Sequence, residues 1–144
     1  MSHTIVFHSI KLGKKMQKAV GLKTPTLGLS YSQASALTVL ASGERITQSE
    51  IALRLSLEPA TVVTLTDELV RLKLVKRLSH DNDRRKYHIA LTVKGSKLAK
   101  IISSRSGKLE SFLRSKLTKK EAVAMLNISD KLVEYLKEWK GGET

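Results

Sequence analysis

Residues Leu74–Thr92, LVKRLSHDNDRRKYHIALT, constrain the fold more than any other stretch of the chain. The pattern predicts two short strands, LVKRLS and KYHIALT, joined by the polar tip HDNDRR. In the second strand Tyr87, Ile89 and Leu91 alternate with Lys86, His88 and Ala90, the period of a half-buried strand. A two-stranded ribbon is marginally stable by itself in water, so this one needs helices beside it. Its tip, with Asp81, Asp83, Arg84 and Arg85, is too polar to pack and too basic to be only a spacer.

A short helix, a turn and a second helix stand directly before the ribbon. Thr47 with Glu50 has the capping-box pattern and opens QSEIALRL, where Ile51, Ala52 and Leu55 share one face. After a tight turn through Ser56 to Glu58 comes EPATVVTLTDELVRL, with Pro59 suited to a first helical turn. Val62, Leu65, Leu69 and Leu72 point inward at helical spacing. The opposite face shows Ala60, Thr61, Thr64, Asp67, Glu68 and Arg71. A helix-turn-helix followed by a two-stranded ribbon is a winged helix-turn-helix arrangement. Its second helix enters a major groove while the ribbon reaches neighbouring phosphates or the minor groove. The expected fold class is mainly α with a small β wing, an α+β chain.

Helices flank this module. Ile5–Val20 is amphipathic, with Lys11, Lys14, Lys15 and Lys18 between its apolar residues; Gly21 ends it and KTPTLG, with Pro25 and Gly28, reads as a loop. Such a basic helix suits a membrane surface as well as a helical partner, and its modest apolar face favours the partner. Ser30 with Gln33 makes another capping box, with Leu29 facing Ala34 as a staple. That helix runs to about Ser42, and Gly43 and Glu44 form the turn after it. Behind the ribbon, Thr92 caps a long helix over Val93–Lys116, striped with Leu98, Ile101, Ile102, Leu109, Phe112 and Leu113. The SSRSG run from Ser103 to Gly107 marks a place for it to bend. Thr118 and Glu121 form a third capping box for a last helix to about Trp139, and GGET frays off the end. The last helix carries the stripe Ala122, Met125, Leu126, Ser129, Leu132, Val133 and Leu136.

The organisation expected is residues 1–29 as an N-terminal dimerisation helix and loop, 30–92 as the DNA-binding lobe, and 93–144 as C-terminal dimerisation helices. The terminal stripes need a partner, and a second copy of the chain is the economical one. A dimer also matches an inverted-repeat site, with half-sites about one helical turn apart.

Charge agrees with a polyanionic partner, nucleic acid first and an anionic membrane surface second. The chain has 26 basic and 13 acidic residues, a net charge of +13. Arg71 to His88 concentrates seven basic residues against two acids. At 144 residues one domain is expected. The absence of cysteine excludes disulfides, thiolate metal sites and cysteine redox sensing. MSHTIVFHSIKLGKK is not a signal peptide, because its apolar run is short and precedes its lysines. The uncharged window Thr24–Gly43 is too rich in Ser, Thr, Gly and Pro to span a bilayer. A soluble cytoplasmic protein, at the nucleoid when bound to DNA, is expected.

No nucleophile motif, P-loop or dinucleotide fingerprint is present, so an enzyme is not expected. His3 and His8 lack a third ligand nearby in sequence. His80 and His88, beside the ribbon tip, read as phosphate neighbours or surface residues, so neither metal nor cofactor is expected.

LSYSQASALTVL, ITQSEIALRLSLEPATVVTLTDEL and LVKRLSHDNDRRKYHIALTVKG together resemble the MarR family of transcriptional regulators. The most specific element is the DxR of Asp83 to Arg85 followed by Leu91-Thr92-Val93-Lys94-Gly95. The resemblance implies a homodimeric winged-helix regulator, with repression the expected sign, whose terminal helices interlock. It implies that Arg85 reaches into the minor groove, braced by Asp83, and that small anionic or phenolic effectors bind between the DNA-binding lobe and the dimerisation helices. The candidate DNA contacts are Ala60, Thr61, Thr64 and Arg71 on the recognition helix, and Lys76, Arg77, Arg84, Arg85 and Lys86 on the ribbon.

The chain departs from the family pattern at several positions. Thr64 stands where Arg is frequent, Val63 where Ser or Thr is, Glu68 where a basic residue is common, and Lys73 in place of a frequent Gly. Arg to guanine is the commonest specific contact, so a helix without Arg before Arg71 points to reading through the hydroxyls and methyls of Thr61 and Thr64. The same poverty motivates a second reading, a basic architectural protein that coats DNA without a preferred site. A third, weaker reading is a winged-helix module that binds protein instead.

Overall fold

The computed structural model describes residues 4–22, 26–43, 45–80 and 83–141, and side chains within these except those of 79–80 and 83–86. In chain order the elements are α1 (Ile5–Val20), α2 (Tyr31–Leu40), β1 (Ile46–Thr47), α3 (Gln48–Leu55), α4 (Pro59–Arg71), β2 (Val75–His80), β3 (Asp83–Leu91), α5 (Val93–Lys116) and α6 (Lys119–Glu138). The chain divides into two compact units, Met1–Ser106 and Gly107–Thr144. The division falls in the SSRSG run, the weakest helix-forming stretch of α5, although α5 is assigned as one continuous helix.

The helices begin where side chains can satisfy their first N–H groups. Thr4 Oγ1 accepts from Phe7 N at 3.2 Å and opens α1. Ser30 with Gln33, and Thr118 with Glu121, form reciprocal capping boxes on α2 and α6. At α3 one half of the expected box is formed, the Thr47 hydroxyl accepting from Glu50 N at 3.2 Å. Pro59 occupies the start of α4, which lacks a side-chain cap. Gly21 closes α1 in the left-handed region at φ 72, as does Ser56 for α3 at φ 53.

In the first unit the most deeply buried large side chains are Leu37, Ile46, Ile51, Val62, Leu69, Leu74 and Ile89. They come from α2, α3 and α4, the turn after α4, and the sheet, so the helix-turn-helix and the ribbon share one core. Burying each such side chain contributes about 1.5–3 kcal/mol before conformational entropy is set against it.

The ribbon is not alone. β1 pairs antiparallel with β3, Ile46 opposite Ile89 and Thr47 opposite His88, giving a three-stranded sheet in the order β1-β3-β2. A third strand supplies the support that an isolated hairpin lacks. β2 pairs with β3 from Val75–Leu91 to His80–Asp83, with an irregularity between Ser79 and His80. β3 therefore begins at Asp83, before the Lys86 start expected from alternation; Asp83 pairs with His80, and residues 84–86 fall in the irregularity between that pair and Ser79–Tyr87. The tip residues 81–82, the loop residues 23–25, Glu44 and the terminal 142–144 lie outside the described residues.

In the second unit α6 has no buried residue. Val123, Leu126, Ile128, Leu136 and Trp139 are all more than half exposed. α1, in the first unit, likewise buries none of its side chains and exposes Ile5, Val6 and Phe7.

Candidate nucleic-acid interface

Ala60, Thr61, Thr64 and Arg71 are all exposed on α4, as the spacing of Val62, Leu65 and Leu69 into the core requires. Val63 is exposed as well. The Thr64 hydroxyl donates back to Ala60 O at 3.3 Å, a bond that leaves its methyl and its lone pairs for other contacts. A groove runs between this face and the first turn of α2, lined by Ser30, Ser32, Gln33, Thr61, Thr64, Glu68 and Arg71. Gln33 does more than cap α2, because its Nε2 donates to Glu68 Oε2 at 3.1 Å across the groove. That bond links residues 35 apart in sequence and has no local signal.

On β2, Lys76 is exposed while Arg77 is half-buried. The register puts Arg77 opposite Ile89, a core residue, so its side chain leaves the sheet on the face that covers the helices. There its guanidinium pairs with Asp67 of α4, and Nε donates to Gln48 of α3 at 3.4 Å. Strand alternation carried this signal, since Arg77 shares parity with the buried Val75. The side chains of Asp83, Arg84, Arg85 and Lys86, and that of His80, lie outside the described residues, as does His3. His88 is half-buried on β3, and His8 Nδ1 lies 3.0 Å from Thr4 O.

The base of the ribbon is tied to the start of α5. Thr92 N donates to Leu74 O at 3.0 Å, and Thr92 Oγ1 donates to Lys73 O at 2.7 Å. The same hydroxyl accepts from Gly95 N at 3.1 Å, so Thr92 caps α5 as expected. Lys94 Nζ adds a bond to Leu72 O at 3.2 Å.

A separate cavity of about 330 Å³ opens among α1, α2, α3 and the first part of α5, lined by Met16, Val20, Leu22, Tyr31, Leu55 and Ile102 with a few polar groups. An adjoining depression shares Gln17, Leu22 and Tyr31 with it and adds Lys14 and Lys18. Arg105 Nη1 donates to Gly21 O at 3.0 Å and ties the end of α1 to α5 nearby. Among the described residues no group of three His, Cys, Asp or Glu side chains is arranged to hold a metal ion. No helix of the described residues is long and apolar enough to cross a membrane.

A three-stranded sheet behind two short helices, the second presenting a polar face beside a basic strand, defines a winged helix-turn-helix protein. Comparison with known proteins places it further. The MarR family model matches residues 27–86. HTH-type transcriptional repressor YetL of Bacillus subtilis (strain 168) is 33% identical over 121 residues, which span 83% of this chain and 66% of that relative's length. The repressor MdtR of the same organism is 29% identical over 108 residues, covering 74% of this chain and 69% of MdtR. The S. aureus MepR–DNA complex superposes with a TM-score of 0.80 at 26% identity, covering 94% of this chain and 99% of that one. Streptococcus pneumoniae FabT in complex with DNA shares the fold at a TM-score of 0.73 and 20% identity, with 94% and 95% of the two chains covered. The chain belongs to the MarR family, whose members are transcriptional regulators and not enzymes.

Proposed function

We propose that this protein is a homodimeric, sequence-specific DNA-binding repressor acting on an inverted-repeat operator in the cytoplasm. The observation that carries the reading is the exposed face of α4, with Ala60, Thr61, Thr64 and Arg71, standing beside the basic strand β2 on a fold that matches MepR in its DNA complex. In this reading α4 enters the major groove. Lys76, Arg84 and Lys86 meet phosphates, and Arg85, braced by Asp83, enters the minor groove, where a narrow groove attracts a guanidinium. Arg77 supports the wing through Asp67 and Gln48, and its remaining N–H groups, without a partner among the described residues, can meet a phosphate. The exposed stripes of α1 and of α6 support a second copy as partner.

The cavity beside α1 supports an effector site. Its walls are apolar, its volume suits a small aromatic molecule, and Lys14 and Lys18 stand next to it to meet a carboxylate or phenolate. Titration of the chain's own upstream DNA against random duplex at physiological salt tests the function. Preference for the upstream DNA by about 1,000-fold or more is expected of a specific regulator. Equal affinities favour the second reading, an architectural protein that coats DNA, for which the single Arg on the face of α4 is the motive. Replacing Arg85 with Ala should weaken operator binding about 10-fold or more with the dimer intact.

A further inference from the structure

Thr61, Thr64, Glu68 and Arg71 follow one another at spacings of three and four, so they form one row along α4, in which Thr61, Thr64 and Arg71 are exposed and Glu68 is half-buried. Two carboxylates belong to this helix, and they are treated differently. Asp67 is neutralised by Arg77. Glu68, beside the groove, meets no cation among the described residues and is held by a neutral amide, Gln33 Nε2, at 3.1 Å. The amide cannot turn round, because its Oε1 accepts from Ser30 N at 3.0 Å and a flip would lose both bonds. Gln33 therefore fixes one oxygen of Glu68 and leaves the other without a partner among the described residues.

An unneutralised carboxylate on a DNA-facing helix is repelled by phosphates and by most of what the major groove displays. Guanine offers only acceptors there, thymine an acceptor and a methyl, and adenine a donor beside an acceptor. Cytosine offers a lone amino donor. Resting on the reading of α4 as the recognition helix, we propose that Glu68 is a base-reading residue that selects cytosine, and that Gln33 is the positioning residue that holds its carboxylate for this contact. Thr64 is the weaker reader beside it, since its hydroxyl proton is given to its own helix and only its methyl and lone pairs remain for a base.

The test is selection of binding sites from a randomised duplex library by the full-length protein, its Glu68→Gln variant and its Gln33→Glu variant. The wild-type motif should hold one cytosine per half-site that responds to Glu68→Gln. At that position Gln should favour adenine, with preference for cytosine falling about 10-fold, because a carboxamide pairs with the adenine edge. Gln33→Glu keeps an acceptor for Ser30 N but removes the donor to Glu68, so it should blur the same position and leave the others alone. A Glu68→Gln motif identical to wild type at every position overturns the inference while the regulator reading stands. A wild-type protein that yields no motif overturns both.

Discussion

Lys73 sits at φ 61, in the left-handed region, in the turn between α4 and β2. That conformation costs a residue with a Cβ about 1–2 kcal/mol, and glycine would relieve it at a smaller cost in unfolded-chain entropy. Lys73→Gly should therefore raise stability by up to about 1 kcal/mol, read from the urea midpoint with an unchanged slope. The strain is held in place by what lies on the other side of the turn, where Thr92 and Lys94 bond to Lys73 O, Leu72 O and Leu74 O. Gly95 is the residue that permits this approach: a Cβ there would stand 2.0 Å from Leu74 O. The obstacle is backbone, which cannot rotate away. Gly95→Ala should cost about 3 kcal/mol or more by the same measurement, because α5 has to move from the base of the wing. The family resemblance marked Lys73 as a departure and Gly95 as part of a motif. The reason for each became legible only once residues 72–74 and 92–95 were seen in contact.

At the scale of elements, the wing's angle to α4 rests on a contact between helices and strand. Arg77 joins β2 to Asp67 of α4 and Gln48 of α3, with side chains 28% and 62% exposed in the ion pair itself. A pair so open to solvent contributes at most about 1 kcal/mol to stability, so its use is geometric. Arg77→Ala and Asp67→Ala should each weaken operator binding several-fold, and the double variant should be no worse than the poorer single one. Full additivity in that cycle, measured by DNA titration, would mean that Arg77 acts on phosphate without Asp67. Helix bounds were highly legible: α1, α3 and α5 run over the residues that caps and apolar spacing select, because those signals are local. β1 was not, since the two residues Ile46 and Thr47 show no alternation and pair only through distant β3. Gln33 was readable as a cap and unreadable as the holder of Glu68 for the same reason. The α6 cap offers a pH prediction. Backbone and hydroxyl bonds to Thr118 hold the Glu121 carboxyl below its ordinary value of 4.5. A depressed folded pKa means that the cap's stabilisation is present above that value and is lost as pH falls through the lower, folded one. Acidification should loosen the first turn of α6, seen as faster amide exchange at Glu121. Glu121→Gln should remove that acid response.

For the whole molecule, the exposed apolar surface and the DNA site belong to one scheme. Val133 and Leu136 of α6 are 45% and 67% exposed, with Leu126 and Tyr135 exposed on the same helix and Trp139 exposed just past its end. A single chain leaves them to water, which is unfavourable by roughly 25 cal/mol for each Å² that a partner would cover. If a second copy covers them, a charge placed there separates the copies without touching the wing. Leu136→Glu combined with Val133→Glu should convert the dimer to monomer in sedimentation equilibrium. The first unit should keep its fold, because no residue of α6 enters its core. The DNA consequence follows from symmetry: a monomer engages one half-site, so it loses the second set of phosphate contacts and the effective concentration that links the two sites. Operator affinity should fall by about 100-fold or more, and the dependence of binding on salt should become markedly shallower, because fewer counterions are released. A variant that becomes monomeric yet binds the operator with wild-type affinity and salt slope would show that each chain reads its site independently. That result would remove the inverted repeat from the proposal while leaving the roles of α4 and the wing in place.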